Sequence, residues 1–155
     1  MELHLLAVGK LRPAFRALAD DYLRRLARVV SVREQEVREA GRAGSVARQR
    51  SEEGARLLAA VPSAASVTLL DIEGRRWSSE EVAQALDRWR LASRDHVVII
   101  GGAVGVDSAV RARADSVWSL GPLTLPHELA RVVVVEQLYR ATTILQGTPY
   151  HKGER

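Results

Sequence analysis

Cysteine is absent from the 155 residues of the chain. Its absence excludes a disulfide framework, a thiolate-held metal and a cysteine nucleophile together. Lysine is nearly absent too, since only Lys10 and Lys152 among the 23 basic residues are lysine. No apolar run approaches the ~18–20 residues of a membrane span. Met1-Glu2-Leu3-His4 lacks the pattern of a secretory leader. A cytoplasmic location with no membrane partner is therefore expected. His4, His96, His127 and His151 are dispersed, with no His-x-x-x-His pair on one helix, so no metal site is expected. A Gly-x-Ser-x-Gly elbow is missing, which removes the serine-hydrolase reading. Gly101-Gly102-Ala103-Val104-Gly105 lacks a following Gly-Lys-Ser/Thr, and it follows the fourth predicted strand, not the first. It is neither a Walker A loop nor a dinucleotide fingerprint.

What is present is ordinary globular composition, 46% hydrophobic and 27% charged. The length suits one compact domain over 1–155, able to bury a core without staples. The net charge is +4, carried almost wholly by arginine. Guanidinium groups make bidentate contacts to phosphate and stack on bases, so the balance suits a polyanionic partner. Genome composition produces the same usage, so charge permits RNA without proving it.

Apolar runs and helical periods alternate along the chain. Leu3–Val8 is a short apolar run ended by Gly9-Lys10, as a buried first strand requires. Pro13 opens a helix whose face carries Phe15, Leu18, Ala19, Tyr22, Leu23 and Leu26. Val29–Val37 predicts a second strand with one wet face, and Arg38–Ser45 a basic loop. Ser45 caps a helix that stops before Pro62. Ser66–Leu70 is a strand closed by Asp71-Ile72-Glu73-Gly74, and Ser78-Ser79-Glu80-Glu81 starts the next helix. His96–Ile100 is the most apolar strand, Asp107 or Ser108 starts a short helix, and Asp115–Leu120 is a fifth strand. Pro126 to Gln146 is one long helix ended by Gly147, despite the strand propensity of Val132–Val135. Four consecutive valines leave no wet face, which predicts cover from a second chain. The class predicted is α/β, a mostly parallel sheet with helices on both faces.

In an open parallel sheet the ligand crevice lies outside the carboxyl ends of the strands. Three segments meet that condition: Leu70–Gly74, Gly101–Gly105 and Leu120–Leu125. Each alone also reads as a tight turn. Together they outline a glycine-lined crevice late in the chain.

The segments LHLLAVGK (3–10), DDYLRRL (20–26), TLLDIEGR (68–75), DHVVIIGGAVGV (95–106), WSLGPLTLPHELARVVVVEQLYRA (118–141) and PYHKGER (149–155) stand in this order over nearly the whole chain. In them the chain closely resembles the RlmH family, the large-subunit ribosomal RNA pseudouridine-N3 methyltransferases of the SPOUT superfamily. One departure is local: Ala103-Val104 stands where the family usually has Pro-Glu, so no role for that carboxylate carries over.

The resemblance implies a SPOUT fold with a C-terminal trefoil knot, a homodimer, and S-adenosylmethionine (AdoMet) as methyl donor to 23S ribosomal RNA. It places Leu70, Gly102, Leu120, Gly121, Pro122, Leu123, Thr124 and Leu125 at the cofactor. A methyl acceptor N3 carries a proton that must leave, so a base near the target helps. His127, Glu136 and the pair Tyr150-His151 are the candidates. The resemblance favours the tail pair, with His151 near the base. RNA contacts are expected from Arg131, Arg140 and Lys152, with Arg155 on the tail and Arg38, Arg42 and Arg48 in the basic loop. Two other readings stay open: a SPOUT methyltransferase of transfer RNA, and a non-catalytic RNA- or ribosome-binding α/β protein.

Overall fold

The structure is a computed structural model that describes residues 1–41 and 44–152. Five strands, β1 (Leu3–Val8), β2 (Val32–Val37), β3 (Ser66–Arg76), β4 (His96–Ile100) and β5 (Ser116–Ser119), form one sheet. Their order is β2-β1-β4-β3-β5 and every neighbouring pair is parallel. Parallel neighbours cannot be joined by tight hairpins, so the connections cross the sheet and carry helices. These are α1 (Pro13–Ala27), α2 (Val46–Ala60), α3 (Ser79–Leu91), α4 (Ser108–Arg113) and α5 (His127–Gln146), followed by a 3-10 turn over Pro149–Lys152.

Strand alternation sorts the helices into two layers. Leu3, Leu5 and Ala7 of β1 and Val98 and Ile100 of β4 pack with Leu26 of α1, Val82 and Leu86 of α3, and Val134 and Leu138 of α5. Leu6, Val8, Val97 and Ile99 point the other way, onto Leu57 of α2 and Val110 of α4. Both faces are dry, which is why β1 and β4 are continuous apolar runs. The α/β class stands, with the sheet wholly parallel.

Three local expectations are corrected. The second strand begins at Val32, because the N–H groups of Val29 and Val30 turn back to the Leu26 carbonyl, each at 3.0 Å, and close α1. Asp71–Gly74 does not end β3, which runs on to Arg76 beside β5 with a register shift between Leu70 and Arg75. Gly74 permits this passage, since a Cβ there would stand 2.6 Å from the Val117 backbone. Three of the four valines of α5 need no second chain, because Val132, Val134 and Val135 are buried within this one, while Val133 is half-buried. Helix α5 packs against both α1 and α3.

A polar island interrupts the apolar layer. The buried His96 ring stacks on Trp89, with centroids 3.8 Å apart, and its nitrogens meet Ser66 Oγ at 2.5 Å and Thr68 Oγ1 at 2.8 Å. Burial pushes the imidazole down to about 3; Asp115 opposes this and Arg94 adds to it. Its folded value lies below the unfolded one, so above pH ~6.5 both states are neutral and nothing is lost. As pH falls through ~6.5 the unfolded chain takes up a proton that the native state refuses, and stability declines until about pH 3. A loss of about 2 kcal/mol is expected between pH 7 and pH 5. Urea midpoints at the two pH values check it: His96→Asn should lack that part of the decline, and an equal decline would refute it.

Candidate functional site

The crevice opens where the strands end. Leu70, Asp71 and Ile72 come from β3, Ile100, Gly101 and Gly102 from the end of β4, and Leu120 from just beyond β5. Gly105, Val106, Gly121, Leu123, Thr124 and Leu125 close its sides, and His127 and Ala130 of α5 complete it, around a space of about 210 Å³. Of the residues expected at a cofactor, Leu70, Gly102, Leu120, Gly121, Leu123, Thr124 and Leu125 line this space, and Pro122 does not.

Each loop has a physical reason for its shape. Gly105 N–H donates to the Gly102 carbonyl at 3.1 Å, which folds the 101–105 segment into a tight turn. A Cβ on Gly102 would stand 3.0 Å from Val8 Cγ1, a tight contact that glycine avoids where this segment lies on the end of β1. A side chain at 102 would thus press into the core, not into the crevice. Gly121 holds a φ of +118°, a value that L side chains rarely adopt, and its N–H donates to Ser119 Oγ at 3.2 Å. Aliphatic walls stand at the mouth, where Ile72 is 54% and Leu123 75% exposed. Polar groups are few, as in most small-molecule sites. Asp71 is held by Arg111, whose Nη1 and Nη2 donate to Oδ2 and Oδ1 at 2.8 and 2.9 Å. His127 opens α5, at the positive end of a 20-residue helix dipole. Such a lining can sandwich a flat heteroaromatic ring and read its edge with backbone N–H and C=O groups.

Tyr150 is elsewhere. Tyr150 lies edge-on to Tyr139, centroids 4.8 Å apart, with the Arg140 guanidinium 5.0 Å from its ring centre. Its hydroxyl donates to Glu136 Oε2 at 3.5 Å. Arg140 Nε donates to Glu136 Oε1 at 3.0 Å, so Glu136 is an ion-pair partner one turn away on the same helix. Beside Tyr150 is a second cleft bordered by Arg25, Arg28, Tyr139, Thr143 and Gln146. Arg42 and Arg155, and the side chains of His151 and Lys152, lie outside the described residues. Arg38 is exposed in the basic loop, and exposed Arg48 pairs with Glu52 at 3.4 Å.

Arg131 is corrected outright as an RNA contact. It is 3% exposed. Its Nη2 and Nε donate to Glu34 Oε2 at 3.2 and 3.3 Å, its Nη2 also meets Glu36, and its Nη1 donates to the Gly9 carbonyl at 3.0 Å. A guanidinium enclosed by two carboxylates has no face to offer a phosphate.

Sequence reasoning missed Ile100, Val106 and Ala130, apolar positions that flank the glycines and the start of α5. Their adjacency to the named loops was the available signal. Among the described residues there is no group of three or more His, Cys, Asp or Glu that could hold a metal ion, and no helix long and apolar enough to cross a membrane.

Comparison with known proteins agrees with this geometry. The family described as "Predicted SPOUT methyltransferase" matches residues 1–151. The ribosomal RNA large subunit methyltransferase H of Thioalkalivibrio sulfidiphilus is 43% identical over 155 residues, covering 98% of this chain and 99% of that protein. The Pseudomonas aeruginosa protein of the same name is also 43% identical, over 98% of this chain and all of its own. That of Hahella chejuensis is 48% identical over 101 residues, 65% of each chain. The chain is a methyltransferase: it belongs to the SPOUT family, among the ribosomal RNA large subunit methyltransferase H proteins.

Proposed function

We propose that the protein methylates N3 of a pseudouridine in 23S ribosomal RNA, using AdoMet and acting on the assembled ribosome in the cytoplasm. The observation that carries this reading is the meeting of three separate loops, Leu70–Ile72, Gly101–Gly105 and Leu120–Leu125, in one crevice. The C-terminal trefoil knot implied by the resemblance belongs to the same reading.

The residues present fit the cofactor. Leu70, Leu123 and Leu125 offer aliphatic surface to a purine, and the glycine loops offer close backbone. The enclosed space takes part of such a ligand and leaves the rest at the open mouth, where the acceptor must approach. When bound, AdoMet supplies an already activated methyl group, the N3–C bond forming as the S–C bond breaks. The chain's own task is then proximity and alignment, plus a place for the N3 proton.

His127 lines the crevice, and Tyr150 does not. A 20-residue α5 separates them, which at ~1.5 Å per residue is about 30 Å. Tyr150 and His151 therefore serve the crevice of a second copy, in a two-fold homodimer. Helix α1 supports such an assembly, presenting Ala14, Ala17 and Leu18 exposed on one side, Leu18 at 46%.

Calorimetry with AdoMet, followed by mass mapping of ribosomal RNA from ribosomes lacking the modification, tests the reading. The protein should bind AdoMet and add one methyl group to a pseudouridine-containing fragment. Gly121→Val, which puts a branched side chain at φ +118° in the crevice wall, should weaken AdoMet binding at least about tenfold. Equal binding by that variant would remove the crevice assignment, and methylation of transfer RNA alone would remove the substrate.

A further inference from the structure

Among the described residues, one buried side-chain oxygen has no hydrogen-bond partner, Oε1 of Glu53. Glu53 is 2% exposed and sits on the inner stripe of α2, one turn before buried Leu57. Its other oxygen, Oε2, is satisfied by the N–H of Ala40 at 3.0 Å and by Gln49 Nε2 at 3.2 Å. A buried carboxylate oxygen without a donor is costly, and such exceptions in a native chain mark strain or function.

The position of Oε1 says what it faces. It lies 3.5 Å from where a Cβ on Gly102 would stand, with only the aliphatic Val8 closer to that point. Gly102 itself lines the crevice. The glycine loop is thus the crevice segment that adjoins Oε1, and its backbone N–H groups are donors that a turn of the loop can bring to it. The same helix grips that loop elsewhere: Arg50 Nε donates to the Val104 carbonyl, and Gly54 packs so closely on Asp107 that a Cβ would stand 2.5 Å from its Oδ1. Gly102 and Ala103 come just before the first of these grips, so α2 ties the loop immediately after them.

We infer that Glu53 is a positioning residue for the cofactor loop: when the crevice fills, the N–H of Gly102 or Ala103 turns onto Oε1 and fixes the loop in its binding arrangement. The inference rests on reading the crevice as the AdoMet site. An acceptor left unmet by this arrangement of the loop is then a device that favours an arrangement satisfying it. Charge-assisted N–H···O⁻ bonds are the stronger kind, so the preference is a substantial one.

Glu53→Gln separates this role from a merely structural one. Unliganded Glu53→Gln should melt at or above the wild-type temperature, since it loses a buried unpaired charge, yet bind AdoMet at least about tenfold more weakly. In ¹H–¹⁵N spectra of the wild type, AdoMet should move the Gly102 or Ala103 amide proton downfield, and Glu53→Gln should lack that shift. The wild-type spectrum needs no variant to fold, and Glu53→Asp, which withdraws the charge by one methylene, should repeat the affinity loss. Wild-type affinity in both variants, affinity falling only in step with melting temperature, or no downfield amide in the wild type would each overturn the inference while leaving the crevice reading intact. No AdoMet binding by the wild type would overturn both.

Discussion

Deleting residues 150–155 should leave AdoMet affinity within about threefold, or ~0.7 kcal/mol. The same deletion should lower methylation of ribosomes at least about a hundredfold, or ~2.7 kcal/mol of transition-state stabilisation. The separation of the two effects follows from α5. Its first residue borders the crevice and its last leads to Tyr150, which lines the second cleft beside Arg25 and Tyr139 and not the cofactor crevice. What they remove is an aromatic plane able to stack on a splayed base, a cation for a phosphate, and an imidazole suited to proton movement near neutral pH. Tyr150 is not a frayed end: it is held by Tyr139, Arg140 and Glu136. His151→Ala should reproduce part of the loss, and its deficit should shrink at high pH if the imidazole takes the N3 proton.

The proposed two-fold dimer makes a second outcome available in the same assay. Truncated chains carry intact crevices, and Gly121→Val chains carry intact tails. Mixed and re-equilibrated, they should form heterodimers with one complete site, and regain up to about half the activity per heterodimer. Full activity of the truncated protein would show the tail to be dispensable. No recovery on mixing, with heterodimers shown to be present, would place tail and crevice in the same chain.

The scaffold was legible where burial leaves a local imprint. β1 and β4 are dry on both faces, so their residues are mostly apolar without alternation, and four of the helices are punctuated by Pro13, Ser45, Ser78, Pro126 and Gly147. The crevice followed from topology, since loops after parallel strands converge at one edge. Legibility failed where a distant partner decides. Asp71-Ile72-Glu73-Gly74 has turn composition, yet the β5 backbone lies close enough to hold it as strand, and only Gly74 hints at so near a neighbour. The valine run correctly implied cover, but not that α1 and α3 supply it. Glu53 stands one turn from Leu57 on the stripe that α2 buries, so a charge out of pattern was visible, although its proximity to Gly102 was not. Arg131 is the sharpest miss, because a basic residue on a helix looks alike whether solvent or two glutamates face it.

That miss leads to the largest expected effect on stability. Arg131 and Arg16 share Glu34 and Glu36, with Arg16 Nη1 at 2.6 Å from Glu34 Oε1 and Arg16 Nη2 at 2.8 Å from Glu36 Oε2. The four charges cancel, and they tie α1 and α5 to the edge strand β2. Arg131→Ala leaves Glu34 and Glu36 with Arg16 alone, beside a cavity, and frees the Gly9 carbonyl that Arg131 Nη1 had satisfied. Breaking a buried pair costs about 3–5 kcal/mol; here Arg131 is buried while Glu34 and Glu36 keep 15% and 28% of their side chains exposed, so the low end, about 3 kcal/mol, applies. For a chain of this length the melting temperature should fall by roughly 10 °C. Arg131→Lys should recover only part, since an ammonium cannot reach Glu34, Glu36 and Gly9 with one fork. Glu34→Gln in the Arg131→Ala background should restore stability, by removing the excess charge. At a temperature where Arg131→Ala is still folded, the dependence of RNA binding on salt should match the wild type, whereas a phosphate contact would lower that slope by about one. A melting temperature within about 2 °C of wild type, together with a shallower salt slope, would return Arg131 to the RNA surface.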